Sequence, residues 1–107
     1  METLDSINTK DKYLDAIKTK SILIFSADWC PDCMFLKQFI NEIINNNQQY
    51  DFYYVNRDDM IDLCKELDVF GIPSFIAYDN SKELGRFVSK NRKTKEEIQK
   101  FIDSLGD

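Results

Sequence analysis

Two cysteines three positions apart, Cys30 and Cys33, lie between two segments with different hydrophobic patterns. The preceding segment, Ser21–Ser26, contains four consecutive apolar residues, which is typical of a strand buried on both faces of a sheet. The following segment, residues 31–46, repeats apolar side chains along one broad helical face. A buried strand that turns directly into a long helix indicates an α/β domain, and it places both cysteines at the N-terminus of that helix.

The rest of the chain predicts further strands and helices around this unit. The expected strands are Asp51–Asn56, residues 74–78 and residues 84–88, and the expected helices are an N-terminal one capped by Asn8 or Thr9, residues 58–67 and a last one capped by Thr94. Glu97 follows Thr94 by three residues, which is the spacing of a capping box. These elements predict the α/β class, with a central mixed β-sheet flanked by helices on both faces.

Length and charge limit the size of the fold and the kinds of partner. The 107 residues, of which 43% are hydrophobic, predict a single domain over residues 1–107. The formal net charge of −5 argues against nucleic acid and against an anionic membrane surface, since both require a dense basic face. Apolar runs of at most four residues are far too short to cross a bilayer. We expect a monomer that binds neither nucleic acid nor membrane.

The N-terminal segment and the cysteine count bear on the compartment. The first twenty residues alternate charged and apolar side chains and contain no apolar stretch resembling the core of a secretory signal peptide. Three cysteines is an odd number for the disulfide framework of a secreted protein. Both observations predict a cytoplasmic protein, in which a C-x-x-C pair indicates redox chemistry or metal binding.

The positions of the two thiols suit disulfide exchange. The attacking species in exchange is a thiolate, and unpaired backbone N–H groups at a helix N-terminus stabilise its negative charge. Cys30 is therefore the expected nucleophile. Cys33 lies about one helical turn further on the same side, so it is the expected resolving thiol that releases the product.

A zinc site and an unreactive pair of packed thiols are the alternatives for the C-x-x-C pair. A closed zinc site needs four ligands, but the chain has no histidine and only one further cysteine, Cys64. Such a site would still need a carboxylate ligand and a different fold. Cys64 falls on the inward face of the predicted helix 58–67, so we interpret it as a small buried residue without a redox role.

The order of elements, the sequence Trp29-Cys-x-x-Cys at the start of the longest helix and the later sequence Gly-Ile72-Pro73-Ser resemble the thioredoxin family over nearly the whole chain. The resemblance implies the thioredoxin fold and a cis Ile72–Pro73 bond beside the cysteines, whose backbone groups pair with an extended substrate segment. It also implies that Trp29 and Pro31 belong to the apolar surface that substrates contact.

This chain departs from the usual family pattern within the motif itself. The inner pair is Pro31-Asp32 instead of Gly-Pro. The negative charge of the Asp32 carboxylate opposes thiolate formation, and no basic residue lies within three positions of Cys30 to offset it. Typical thioredoxins also hold a buried aspartate where this chain has Ile24, and its lysine companion aligns with Tyr54. We therefore expect Asp32 to act as the proton acceptor for the resolving thiol.

Residues 90–95 form the one local concentration of positive charge. By resemblance, residues 90–93 replace a small, glycine-containing loop that borders the substrate groove. A solvated charged loop is the ordinary interpretation of such a segment. The alternative is a recognition role that shifts partner choice toward acidic disulfides or acidic partners.

These features predict a cytoplasmic thiol–disulfide oxidoreductase that reduces protein or small-molecule disulfides through a reversible Cys30–Cys33 disulfide, without a bound cofactor or metal. The resemblance implies that electrons come indirectly from NADPH through a thioredoxin reductase, or from a low-molecular-weight thiol if the glutaredoxin-like Pro31 is the better guide. An oxidase or isomerase is disfavoured by the expected cytoplasmic location. The alternative from another class is a thioredoxin-fold binding module whose cysteines are inactive or regulatory.

Overall fold

The computed structural model describes residues 4–106, so residues 1–3 and 107 of the predicted domain lie outside the described part. Its strands are β1 (Asp5–Ser6), β2 (Ser21–Ser26), β3 (Asp51–Asn56), β4 (Ser74–Asp79) and β5 (Lys82–Phe87). They form one five-stranded sheet in the order β1-β3-β2-β4-β5. The strands β1, β3 and β2 run parallel, whereas β4 and β5 are antiparallel to their neighbours. The sheet is therefore mixed, as predicted, and only the short β1 was missed.

Helices cover both faces of this sheet. They are α1 (Lys10–Ala16), α2 (Pro31–Lys37), α3 (Ile40–Asn46), α4 (Ile61–Glu66) and α5 (Lys95–Ser104). Buried residues of α1 and α4 pack on one face, and buried residues of α2, α3 and α5 pack on the other. Within residues 4–106, no helix has the length and apolar character needed to cross a bilayer.

The central strand β2 is buried along its whole length because it contributes to both cores. Leu23 and Phe25 pack with α1 and α4, while Ile22 and Ile24 pack with α2, α3 and α5. This alternation follows from the period of two in a strand, which sends successive side chains to opposite faces. The buried strand fixes the point at which the chain leaves the sheet toward the two cysteines.

Side-chain caps define the starts of the first and last helices. Thr9, and not Asn8, caps α1, because the Lys12 N–H donates to Thr9 Oγ1 at 3.1 Å. At α5 the Glu97 N–H donates to Thr94 Oγ1 at 3.2 Å, and the Thr94 N–H donates to Glu97 Oε1 at 3.0 Å. The predicted capping box is confirmed.

The predicted long helix over residues 31–46 is divided into α2 and α3. Phe39 leaves the helical conformation, with φ −136° and ψ 0°, and its ring packs edge-on against Phe35 at 5.5 Å between centroids. Leu36 and Ile40 remain fully buried in the same core on either side of the break. The division therefore leaves the apolar residues of both helices in the same core against the sheet.

The helix predicted over residues 58–67 begins later, at Ile61. Asn56 Oδ1 accepts hydrogen bonds from the N–H groups of Asp58 and Asp59, at 2.9 and 3.3 Å. These bonds satisfy the backbone in a turn, which competes with helix formation.

Gly71 permits a close backbone approach beside the bend that leads into β4. A Cβ atom at this position would lie 2.4 Å from the carbonyl oxygen of Ser89 and 2.7 Å from the nitrogen of Lys90. Part of the segment between β5 and α5 is thus packed directly against Gly71. We call residues 89–93 of this segment the basic loop.

Replacing Gly71 by alanine should destabilise the protein by about 1–3 kcal/mol, because the added methyl group meets rigid backbone. Gly85→Ala is the matched control, since its Cβ would meet side chains and no backbone: the end of Leu105 at 2.8 Å and the Phe101 ring at 3.6 Å. That change should cost less than about 1 kcal/mol. Urea denaturation measures both values, and equal losses would contradict the proposed close packing.

Candidate active site

Cys30 occupies the N-cap position of α2, directly after the turn that follows β2. Its φ of −83° and ψ of 117° are extended, so its sulfur faces the first turn of the helix and accepts a hydrogen bond from the Cys33 N–H at 3.2 Å. Cys30 is 5% exposed and Cys33 is completely buried. Both thiols are free. The predicted nucleophile is thus the thiol nearer the surface, and the predicted resolving thiol lies beneath it.

The bend before β4 brings Ile72 and Pro73 against the cysteines. The Ile72–Pro73 peptide bond is cis, as the family resemblance implied. Cys30 Sγ lies 4.0 Å from the Ile72 carbonyl oxygen, and the Ile72 side chain packs on Ala27 and both cysteines. The structure therefore joins two segments that are far apart in the sequence into one site.

Exposed apolar side chains belong to the segments that build this site. Trp29 is 60% exposed, and its Nε1–H donates to Asp58 Oδ2 at 2.7 Å, so the ring is held at the surface as expected. Met34 is 49% exposed and Phe70 is 66% exposed. Sequence reasoning did not select these two residues. Their signal was position alone, since Met34 follows the second cysteine and Phe70 precedes Gly71.

Cys33 is difficult to ionise in this environment. Burial raises its pKa to about 11, and the hydrogen bond with the Cys30 thiol adds to the increase. The Ser26 hydroxyl and the Ala27 backbone act in the opposite direction. Ser26 Oγ is buried and makes no regular hydrogen bond within residues 4–106, so its proton is free to turn toward a thiolate on Cys33.

The positions where typical family members carry an aspartate and a lysine are uncharged here. Ile24 and Tyr54 are paired neighbours in β2 and β3, and Ile24 is completely buried. Burial raises the pKa of Tyr54 to about 12, with smaller contributions from Asp28 and Cys33. The phenol is therefore neutral at physiological pH, and neither Ile24 nor Tyr54 supplies a carboxylate.

Asp32 is paired with a cation from a distant part of the chain. Arg92 Nε donates to Asp32 Oδ1 at 2.9 Å, and the guanidinium carbon lies 4.5 Å from the centre of the Phe35 ring. No basic residue lies within three positions of Cys30, as the sequence showed, but the basic loop supplies a cation from a distant part of the chain that offsets the Asp32 charge. The paired Asp32 carboxylate is partly exposed within the motif.

The basic loop contains a buried cation, unlike a solvated charged loop. Lys93 is 1% exposed, and its Nζ donates to the carbonyl oxygens of Ser89 and Asn91, at 3.2 and 2.8 Å. Beyond the loop, Lys95 forms an ion pair with Glu42, while Lys90 is exposed. The solvated interpretation is wrong for Lys93, because its backbone acceptors lie inside the loop itself.

Cys64 lies apart from the dithiol. It is 2% exposed on α4, in the core that also contains Leu63 and Val69, and burial raises its pKa. Its interpretation as a buried core residue is confirmed. Within the described residues, no group of three or more histidine, cysteine, aspartate or glutamate side chains is placed to hold a metal ion.

Comparison with known proteins gives a consistent result. The family model described as Thioredoxin matches residues 5–104 of this chain. Mitochondrial thioredoxin-2 of Schizosaccharomyces pombe is 32% identical over 74 residues, which cover 69% of this chain and 56% of that protein. Thioredoxin of Homo sapiens is 27% identical over 106 residues, which cover 98% of both chains.

Solved structures share the fold. Mitochondrial thioredoxin 3 from Saccharomyces cerevisiae, in its oxidized form, superposes with a TM-score of 0.82 at 19% identity, over 95% of this chain and 96% of that one. Thioredoxin from Trypanosoma brucei brucei superposes with a TM-score of 0.82 at 20% identity, over 98% and 93% of the two chains. At these identities the likeness concerns the fold alone.

Replacing Ser26 by alanine should raise the pKa of Cys33 above its value of about 11, because the hydroxyl that stabilises the thiolate is removed. We expect an increase of about 0.3–1 pH unit, which corresponds to one hydrogen bond of about 0.5–1.5 kcal/mol. The pH dependence of the Cys33 carbon-13 β shift by NMR measures it.

Ser21→Ala is the matched control for this change. Ser21 begins the same strand and also carries a buried hydroxyl without a regular hydrogen bond within residues 4–106, but it lies at the opposite end from Cys33. An equal shift in both variants would show that the Ser26 hydroxyl has no specific effect on the thiol.

Proposed function

The chain belongs to the thioredoxin family and is a thiol–disulfide oxidoreductase, and we propose that it works as a reductase of protein or small-molecule disulfides. Cys30 is the nucleophile and Cys33 resolves the intermediate. The observation that carries this assignment is the position of the two sulfurs. Cys30 lies near the surface with its sulfur facing the Cys33 N–H, and Cys33 is fully buried one helical turn further.

The reaction consists of two exchange steps. The Cys30 thiolate attacks one sulfur of the substrate disulfide, the substrate S–S bond breaks, and the first product leaves as a thiolate that takes up a proton. The Cys33 thiolate then attacks the Cys30 sulfur, and the second product leaves in the same way. The substrate has gained two electrons and two protons, and the enzyme carries a Cys30–Cys33 disulfide.

Substrate contacts are assigned to the surface around Cys30. An extended substrate segment would pair with the backbone at Ile72 and Pro73, whose carbonyl side already faces the Cys30 sulfur. Trp29 and Pro31 are exposed next to the nucleophile and would contact the apolar part of the substrate. Met34 and Phe70 would extend this apolar surface.

The oxidised enzyme has to be reduced again before the next cycle. We propose that electrons come indirectly from NADPH through a thioredoxin reductase, with a low-molecular-weight thiol as the alternative donor. No bound cofactor takes part, because the dithiol itself carries the electrons. We place the enzyme in the cytoplasm as a single-domain monomer, since a reducing compartment keeps the dithiol in the form that attacks disulfides.

Asp32 is proposed as the proton acceptor that prepares Cys33 for the second step. A buried thiol with a pKa of about 11 must lose its proton before it attacks. The neutral Ile24 and Tyr54 do not provide a base, whereas Asp32 is an ionisable group within the motif. Its pairing with Arg92 fixes the carboxylate beside the first turn of α2.

The reduction potential of the Cys30–Cys33 couple tests the direction of the reaction. We expect a reversible two-electron couple near about −270 mV, the value typical of thioredoxin. The protein is equilibrated with defined ratios of reduced and oxidised dithiothreitol, and free thiols are counted by mass spectrometry. Cys64→Ser should leave the potential unchanged, because Cys64 lies in a separate core.

Two results would contradict the proposal in different ways. A potential near about −200 mV would favour a glutathione-type donor or an oxidising role. If no Cys30–Cys33 disulfide forms, the catalytic assignment is wrong. A Cys30→Ser, Cys33→Ser protein that still supports the cellular function would then identify a binding module.

Asp32→Asn should slow the resolution of the mixed disulfide by about tenfold or more at neutral pH, because the proton acceptor for Cys33 is lost. Acid trapping of the intermediate at successive times in a single turnover measures this rate. Asp28→Asn is the control, since it removes an exposed carboxylate from the same turn. Resolution at the parental rate in Asp32→Asn would show that Asp32 is not the base.

A further inference from the structure

Lys93 is the most unusual charged residue in the described part of the chain. Lysine is seldom fully buried unless its charge is paired. Lys93 is 1% exposed, and among residues 4–106 its ammonium forms no ion pair with a carboxylate. Its partners are the carbonyl oxygens of Ser89 and Asn91 and the ring of Phe87, whose centre is 5.3 Å from Nζ.

These partners connect Lys93 to the redox site through packed backbone. The Ser89 carbonyl that accepts from Lys93 is the group that packs against Gly71. Gly71 directly precedes Ile72, whose carbonyl oxygen faces Cys30 Sγ. The backbone of Ser89 and Gly71 therefore connects the Lys93 ammonium to the Ile72–Pro73 bend that contacts the cysteines.

The charges that face Lys93 come from the first turn of α2 and the first turn of α5. Burial lowers its pKa, whereas negative charge on Cys33, Asp32, Glu97 and Cys30 raises it. Two of these groups are already engaged, because Asp32 is paired with Arg92 and Glu97 completes the cap of α5. The two cysteines therefore remain as the unpaired sites where a negative charge would form next to this cation.

We propose that Lys93 is a positioning residue of the redox site, whose buried ammonium favours the thiolate of Cys33 during resolution of the mixed disulfide. The inference rests on the proposed function, because it concerns the second exchange step. Cys33 loses its proton, its thiolate attacks the Cys30 sulfur, and the Cys30–substrate bond breaks with release of the product thiolate. Lys93 transfers no proton. It contributes through its charge and through its hydrogen bonds to the Ser89 and Asn91 carbonyls, which hold the basic loop in place.

The physical reason is the low polarity around Cys33. In a buried site a single charge acts over a longer distance than in water, because little solvent screens it. Ile24 and Tyr54, which stand where typical family members carry an aspartate and a lysine, bring no charge to the thiol. The buried Lys93 ammonium, held by two carbonyl groups, lowers the cost of forming the thiolate.

Reaction with dithiobis(nitrobenzoate) separates the two exchange steps. Attack by Cys30 releases the first nitrothiobenzoate, and attack by Cys33 on the mixed disulfide releases the second. The second phase is intramolecular, so the encounter of the anionic reagent with surface charges does not affect it. Stopped-flow absorbance records both phases as a function of pH.

Three substitutions at Lys93 separate charge from packing. Lys93→Met removes the charge and the hydrogen bonds, Lys93→Gln keeps an amide donor without the charge, and Lys93→Arg keeps the charge. Lys90→Met is the matched control, because it removes one charge from the exposed part of the same loop. Thermal melts by circular dichroism establish which variants are folded.

We expect the second phase to slow by about threefold or more at neutral pH in Lys93→Met and Lys93→Gln, and its pH profile to move to higher pH. Lys93→Arg and Lys90→Met should behave like the parent protein. A parental second phase in Lys93→Gln would overturn the proposed charge effect, even if Lys93→Met were unfolded. A parent that releases only one equivalent would overturn the proposed function, and with it this inference.

Discussion

The complete burial of Cys33 is the constraint on which the site depends. A thiol must ionise before it attacks a disulfide, yet burial raises the pKa of Cys33 to about 11. The same burial protects the thiol from other reagents and places it under Cys30, where only the mixed disulfide is within reach. The surroundings therefore have to stabilise a charge that the core disfavours, and they must do so without opening the site to water.

The surroundings meet this requirement with groups from separate elements. Ser26, at the end of the buried strand β2, carries a free hydroxyl, and Asp32 supplies a carboxylate from the first turn of α2. Arg92 and Lys93 reach the site from the basic loop, where one is paired with Asp32 and the other is buried behind the Ile72–Pro73 bend. Under the proposed mechanism, these groups would take the place of the charged pair that is absent at Ile24 and Tyr54.

Local physical chemistry explains which parts of this arrangement were predictable. The apolar run of β2, the Thr94 capping box and the C-x-x-C pair at a helix start depend on neighbouring residues, so sequence patterns indicate them directly. The Asp32–Arg92 pair joins residues that are 60 positions apart, and the burial of Lys93 depends on Gly71 admitting the Ser89 backbone. Such features arise only when elements that are distant in the sequence pack together. The charged residues of the basic loop by themselves therefore indicate a solvated loop.

Under the proposed function, the basic loop would link substrate recognition to the chemistry of the thiols. Its backbone packs against Gly71, the residue before the Ile72–Pro73 bend, and its side chains bring positive charge to the motif. Under the proposed mechanism, a change in loop sequence that adapts the groove to another partner would also change the electrostatic field at Cys33. One hydrogen-bonded carbonyl, that of Ser89, contacts both Gly71 and Lys93, so the two effects would be coupled. The specificity and the reactivity of the dithiol would then depend on the same packed segment.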